Sequence, residues 1–432
     1  MRYELLKSKF YLYSAKPKAY ADEVKKRRQA FGTIRFPLSI KEFGAQEEHE
    51  AFLACTYEQS VLIEKICMCA AEINSIFSRF PEGAKSHYIN QCLIDEIQNT
   101  NEIENIHSTK REINNTIDAL RANRKSGGKR FEGMIKKYLM LLNDEIKISL
   151  NSSVDVRKIY DDVVLDEIDA EDIPDGTIFR KGTVYIDNPH GDHVHQGIGP
   201  EEKLIEHIEQ SIRILNSEDL PVLIRIAVFH YLFSYAHPFY DGNGRINRFV
   251  MSGLLYQTVN KLLGLAASAE FKKKKAEYYK AFSICNEGKN AGDLTPFVIA
   301  FLEILLSAAQ RVEEQVREGN DKLIYYESRL NSLKSLLFGG KEKDVETKKG
   351  LLFVFVQAAL FSDEDNYFDI STLKAYSEVG LAKTRRLVHE MITSDRLPIM
   401  KRTSGNAHVF RLDINAFDRY IRTELERDIK AD

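Results

Sequence analysis

The sequence predicts a mainly α protein. An all-helical core carries one short β-hairpin, a helical region precedes it, and a small winged helix-turn-helix follows. Three observations predict this. Apolar residues recur at helical spacing through most of the 432-residue chain. One stretch, residues 179–186 (FRKGTVYI), has the β-branched and aromatic character of a short strand, with Gly182 at a turn. The end of the chain, from residue 351 on, reads helix, helix, helix, hairpin.

Taken in order, the first 55 residues show no clear pattern. Residues 58–77 put Leu62, Ile63, Ile66, Ala70 and Ile73 on one helical face. A second helix falls near 87–98. A third opens on the capping box Thr109-Lys110-Arg111-Glu112 and carries Ile113, Ile117 and Leu120 on one side. Gly127-Gly128 breaks the chain, so residues 1–126 form an N-terminal helical region and 127–305 a core. In the core, Pro221 follows Ser217, Glu218 and Asp219 at a helix start. The helix over 222–236 is almost wholly apolar and therefore buried. It ends at His237-Pro238, because a residue before proline avoids helical geometry. A new helix follows, with Ile246, Phe249, Val250 and Leu254 in register. A long charged helix over 300–337 makes a connector (306–345) that ends at Gly339-Gly340. In the last unit, 346–432, helices over 351–361, 369–379 and 381–394 precede strand-like runs at 397–401 and 408–412. Thr403-Ser404-Gly405-Asn406 joins those two runs.

Composition narrows the function. With 44% hydrophobic and 29% charged residues, the chain is neither disordered, nor collagen-like, nor a coiled-coil rod. A net charge of -3 argues against strong polyanion binding by the whole molecule. No uninterrupted apolar run approaches the roughly 20 residues a bilayer helix needs. The start, MRYELLKSKF, is charged throughout, so we expect a cytoplasmic protein without a membrane partner. Five cysteines, Cys55, Cys67, Cys69, Cys92 and Cys285, are odd in number and irregular in spacing. They read as buried reduced thiols rather than a zinc site.

The chemistry concentrates in His237-Pro238-Phe239-Tyr240-Asp241-Gly242-Asn243-Gly244-Arg245-Ile246-Asn247-Arg248. A histidine leaves a buried helix, so its imidazole is held at a rim. A tight Gly-Asn-Gly turn then exposes successive backbone N–H groups at a helix start, which attracts phosphate oxygens. Arg245 and Arg248, three apart, share the helix face above that turn. Asp241 offers a hard carboxylate oxygen beside the same phosphates, as Mg²⁺ requires. A phosphate clamp, a metal ligand and a base add up to phosphoryl chemistry.

These twelve residues resemble the signature of Fic-domain proteins, HxFx(D/E)GNGRxxR, at every position. The resemblance implies transfer of AMP from ATP to a Ser, Thr or Tyr hydroxyl of a target protein or of the chain itself. It implies His237 as the base, Asp241 as the Mg²⁺ ligand, and Gly242, Asn243 and Gly244 as the cradle for the α- and β-phosphates. Arg245 is expected on the β-phosphate side and Arg248 on the γ-phosphate. The likeness extends over about 179–301. Thr183, Val184, Tyr185 and Ile186, followed by 195–200, resemble the family's target-binding flap, whose edge pairs with an extended segment. Tyr278 or Tyr279 is expected to line an adenine pocket. Upstream, Thr100-Asn101-Glu102-Ile103-Glu104-Asn105 resembles the family's inhibitory helix, (S/T)xxxE(G/N). That likeness implies that Glu104 pairs with Arg248 and takes the place of the γ-phosphate.

Other readings stay open beside this one. The same site could run phosphotransfer, or remove AMP with Glu104 positioning water. From a different class, the core is a sensor and the C-terminal unit reads DNA. That unit offers Lys383, Arg385, Arg386, Lys401, Arg402 and Arg411, yet acidic residues are about as numerous, so protein docking is favoured over DNA. A homodimer is left open. Lys272-Lys273-Lys274-Lys275 reads as a solvated helix face, with phosphate attraction as the alternative. His230 reads as a packed structural histidine. His190, Asp192, His193 and His195 read as loop chemistry around the flap rather than a metal site.

Overall fold

The computed structural model describes residues 3–122, 130–187, 190–338, 342–362, 367–375, 379–394, 397–404 and 407–431. The glycine breaks at Gly127-Gly128 and Gly339-Gly340 and the tip Gly405-Asn406 lie outside them. The fold is mainly α. In chain order the helices begin α1 (Leu6–Leu12), α2 (Pro17–Gln29), α3 (Tyr57–Phe77), α4 (Glu82–Ile103), α5 (Lys110–Arg121) and α6 (Glu132–Leu142). The core adds α7 (Ser153–Val163), α8 (Glu201–Asn216), α9 (Val222–Ala236), α10 (Asn243–Thr258), α11 (Lys261–Gly264), α12 (Ala267–Lys273) and α13 (Lys275–Asn286). Then come α14 (Thr295–Leu337), α15 (Glu342–Phe361), α16 (Ile370–Ala375), α17 (Leu381–Thr393) and α18 (Ile414–Ala431). Strands are β1 (Thr33–Lys41), β2 (Glu48–Ala54), β3 (Tyr185–Asp187), β4 (His193–Gln196), β5 (Phe368–Asp369), β6 (Ile399–Ser404) and β7 (Ala407–Leu412).

The chain forms two compact units. One comprises Met1–Ala71 and Leu93–Val312, the other Glu72–Cys92 and Glu313–Asp432. The N-terminal region and the core, separated at residue 127 in the sequence, thus share the first unit apart from 72–92. The connector divides at residue 312.

In the first unit, α9 is buried on nearly every side, with Leu223, Ile226, Phe229, Leu232 and Phe233 all nearly inaccessible. Its almost wholly apolar sequence leaves no broad solvent face, so neighbours cover it nearly all round. The apolar side of α14 (Phe297, Phe301, Leu302, Leu305, Ala308) is buried too. That helix is long and apolar enough to pass for a bilayer span, but its apolar residues serve a core. At the start of the chain, β1 and β2 pair antiparallel from Thr33↔Ala54 to Lys41↔Glu48, with an irregularity between Arg35 and Ser39. This hairpin falls in the stretch for which the sequence showed no clear pattern. Phe52 N–H donates to Gly292 O (2.9 Å) and Leu294 N–H to Phe52 O (2.8 Å), so the hairpin is tied to the segment before α14.

The strand expected over 179–186 is shorter in the structure. The strand proper is Tyr185–Asp187, antiparallel to β4, because the backbone N–H groups of Arg180, Lys181 and Gly182 go to Pro238 O, Asp175 Oδ1 and the Tyr240 hydroxyl instead. Of the five cysteines only Cys285 is buried, whereas Cys55 and Cys67 are exposed, which corrects the expectation of buried thiols. The second unit has the order α15, β5, α16, α17, β6, β7, α18, with an antiparallel sheet ordered β5-β7-β6. Leu352, Phe355, Leu373, Leu387, Leu412 and Phe417 form its core.

Candidate active site

The loop between α9 and α10 is built by its own residues. His237 ends α9 in the left-handed region (φ 50°), and its N–H donates to Phe233 O (3.0 Å). Phe239 is buried and stacks on Tyr160 with ring centroids 3.7 Å apart. Asn243 closes the corner: its Oδ1 accepts from Phe239 N–H (2.9 Å) and its Nδ2 donates to Phe239 O (2.7 Å). The Asn243 side chain is thus spent on holding the turn, and what it can offer an anion is its backbone N–H. Gly242 has φ 82°, a conformation glycine adopts at little cost. The first helical bond of α10 runs from Ile246 N–H to Gly242 O (3.0 Å). The N–H groups of Asn243, Gly244 and Arg245 therefore precede any intrahelical acceptor and face outward at the positive end of the helix.

An acidic side chain already sits there. A methyl group on Gly244 would collide with the Glu104 carboxylate. Glu104 follows the last residue of α4, and its Oε1 accepts from Arg248 Nη2 (2.7 Å). Arg248, 2% exposed, also donates from Nε to Thr100 Oγ1 (2.8 Å) and from Nη2 to Thr100 O (3.1 Å). Thr100, Glu104 and Arg248 are brought together across almost 150 residues of sequence. Burial alone would push the Glu104 carboxyl up. The charge and hydrogen bond of Arg248 prevail, helped by Arg245 and Lys275, and hold it below the usual range. Asn105 comes next, exposed, in the left-handed region (φ 59°) that ends the helix.

Arg245 is buried and double-paired. Its Nη1 donates to Glu167 Oε2 (3.0 Å) and its Nη2 to Asp241 Oδ2 (3.3 Å). Glu167 carries no motif and was invisible in the sequence. The Asp241 carboxylate is more than half exposed beside the turn, so a hard oxygen ligand stands open to a cation. Asp241 and Arg245 border a cavity of about 690 Å³ whose wall also includes Ile106, Val164 and Glu167.

His237 is half-buried. Burial, then the nearby His195 and Arg180, push its imidazole down to about 4, against a smaller opposing pull from Glu104. It is neutral near pH 7 and so able to accept a proton. The flap residues Thr183 and Tyr185 are exposed, and Val184 and Ile186 are partly covered. Val184 O accepts from Gly197 N–H (3.0 Å), which continues the β3–β4 pairing, and Tyr185 stacks on His193 at 4.3 Å. His193 in turn pairs with Asp187, while His195 Nε2 meets Tyr235 O at 2.7 Å. Tyr278 is buried with its hydroxyl on His230 Nε2 (2.6 Å), and His230 is itself fully packed. Tyr279 is 44% exposed and close enough to Glu104 and Arg248 to feel both charges.

The lysine run differs from the solvated face expected of it. Lys275 Nζ donates to Ile103 O (2.6 Å), Lys272 Nζ to Asn99 Oδ1 (3.2 Å) and to Glu102, and Lys274 to Ser307. Two of the four lysines therefore bind the end of α4, just before Glu104.

The chain is similar to known proteins over part of its length. Residues 151–255 match the Fic/DOC family. The chain is 34% identical over 127 residues to the Drosophila erecta protein named protein adenylyltransferase Fic, covering 29% of this chain and 22% of that one. Against the Drosophila melanogaster protein of the same name it is 32% identical over 124 residues, 29% of this chain and 23% of the relative. The matched segment thus spans less than a quarter of the length of these relatives. Among solved structures, a Fic family protein from Desulfovibrio desulfuricans G20 aligns with a TM-score of 0.47 and 17% identity, covering 83% of this chain and 96% of the other. Fic-1 from C. elegans aligns at 0.42 and 21% identity, over 60% and 74%. Residues 151–255, which include the twelve-residue motif folded into one corner, are thus similar to the Fic/DOC family domain.

Proposed function

We propose that the chain is a self-inhibited protein adenylyltransferase, which moves AMP from ATP to a hydroxyl side chain of a protein. One observation carries the reading: a carboxylate from a distant helix occupies the anion seat formed by Gly244 and Arg248 at the start of α10. A seat that holds a carboxylate against buried cations also suits a phosphate.

When Glu104 withdraws, Arg248 loses its anionic partner. A buried guanidinium without one costs about 3–5 kcal/mol, so a γ-phosphate is drawn to the same place. The N–H groups of Asn243, Gly244 and Arg245 hold the preceding phosphates. Asp241 would hold Mg²⁺, which when bound offsets phosphate charge. The exposed edge of β3 takes an extended target segment and brings its hydroxyl to His237. His237 accepts the hydroxyl proton, the oxygen attacks the α-phosphorus, and the bond to the β-phosphate breaks to release pyrophosphate. With Glu104 in place the γ-phosphate has no seat.

For the second unit we propose protein docking. Lys383 (2.8 Å) and Arg386 (3.0 Å) on α17 are paired with Asp344, and Arg386 also with Glu390 (2.7 Å). Cations already neutralised release few counterions on DNA.

The test is incubation of the parent chain, Glu104→Gly and His237→Ala with ATP labelled at the α- or the γ-phosphate. The expected outcome is α-label on protein, faint for the parent, stronger for Glu104→Gly and lost for His237→Ala. Transfer of γ-label would make the site a phosphotransferase instead.

A further inference from the structure

Arg180 is 1% exposed, yet its guanidinium makes four hydrogen bonds that all go to backbone carbonyls. Nη1 donates to Gly182 O (2.6 Å), at the stem leading into the flap. Nη2 donates to Ile198 O (2.9 Å), at the stem leaving it, and to Ala236 O (3.3 Å). Nε donates to His237 O (2.9 Å). The flap stems satisfy the end of α9 carbonyl by carbonyl. His195 Nε2 meets Tyr235 O (2.7 Å), Ile198 N–H donates to Ala236 O (3.0 Å), and Arg180 N–H to Pro238 O (3.3 Å).

The last carbonyls of a helix have no intrahelical donors, and they carry its negative end. A cation set against them is stabilised without a carboxylate, which is why this buried arginine is tolerated. Gly197 leaves the space: a side chain there would strike Arg180 Nη2 and come within 3.1 Å of His237 Cβ.

We propose that Arg180 is a positioning residue that couples the flap to the base: one guanidinium fastens both flap stems to the backbone of His237. The inference rests on the adenylyltransferase reading for its consequence and on these contacts for its geometry. A target segment that adds to β3 orders the flap. Through Arg180 it also fixes the backbone that aims the imidazole. The same positive charge opposes protonation of His237, alongside His195 and against Glu104. Removing it lets the imidazole gain a proton at higher pH, so the acid limb of the transfer rate moves upward.

The experiment follows the His237 ring signal by NMR through a pH titration, assigned with His237→Ala, in the parent, Arg180→Met and Arg180→Lys. Transfer rates are measured against pH in the same variants on a Glu104→Gly background. We expect the titration midpoint to rise in Arg180→Met and to return toward the parent's in Arg180→Lys. We expect kcat to fall by at least about tenfold in Arg180→Met, with little change in the KM for ATP. A folded Arg180→Met whose His237 titrates as in the parent overturns the proposal. Should Arg180→Met fail to fold, Gly197→Ala displaces the guanidinium instead, and an unmoved His237 midpoint there overturns it equally. If no variant transfers AMP, the adenylyltransferase reading fails, while the titration still decides the coupling.

Discussion

Glu96 stands eight residues before Glu104, with Thr100 midway: Glu96 and Thr100 share one face of α4, and Glu104 follows just past its end. It is buried, and it accepts from Ser268 Oγ (2.6 Å) and Ser268 N–H (3.0 Å). Burial pushes its carboxyl up to about 7; the Ser268 hydrogen bonds and the charges of Arg248 and Arg311 pull the other way but lose. The folded state thus keeps a proton that the unfolded chain gives up above its ordinary carboxylate range. The stability this lends is present below about pH 4.5 and is lost as pH rises through about 7. Over that window the loss amounts to roughly 3 kcal/mol. Glu96→Gln cannot ionise, so urea unfolding should show the variant gaining about that much on the parent between pH 5 and pH 8. Parallel curves would refute it. Glu104 has the opposite sense: its contribution is present at neutral pH and fades as pH falls through its lowered value.

At the scale of elements, α4 is an arm held at both ends of the face it presents. Ser268 grips Glu96, and beyond it Lys272 and Lys275 grip the last turn, where cations favour a helix terminus. Losing both lysine contacts should weaken the seat by about 1–2 kcal/mol, which raises the released fraction roughly fivefold to thirtyfold. The Lys272→Ala/Lys275→Ala chain should therefore label itself from α-labelled ATP faster than the parent. No rise, beside an active Glu104→Gly, would show that the lysines do not hold the arm. This seat also marks what the sequence could not reveal. Four consecutive lysines were plain to see, but the acceptors of Lys272 and Lys275 lie some 170 residues away and one is a backbone carbonyl. Arg180 was hidden for the same reason, since its partners are carbonyls rather than a patterned carboxylate. α9 and α10 were legible because burial, the proline and the glycine turn all act locally. The β1–β2 hairpin was not, because Pro37 and the irregularity between Arg35 and Ser39 break the alternation that announces strands. β5, two residues long, leaves no periodic trace.

For the molecule as a whole, every residue of the candidate site falls in the first unit, although Glu104 and His237 are 133 positions apart in sequence. Glu104 lies just past the end of α4, beside Gly244 and Arg248. The motif was complete in the sequence, but its occupation by a carboxylate became visible only once α4 and α10 met. The claim on which the account stands is competition for one place between that carboxylate and the tail of ATP. Calorimetric titration of Mg²⁺-ATP into the parent chain and into Glu104→Gly tests it directly. The account predicts at least about tenfold tighter uptake by Glu104→Gly, equivalent to 1.4 kcal/mol, and loss of that gain when Arg248→Ala is added. Equal affinities in parent and Glu104→Gly, or no uptake by either, would contradict it.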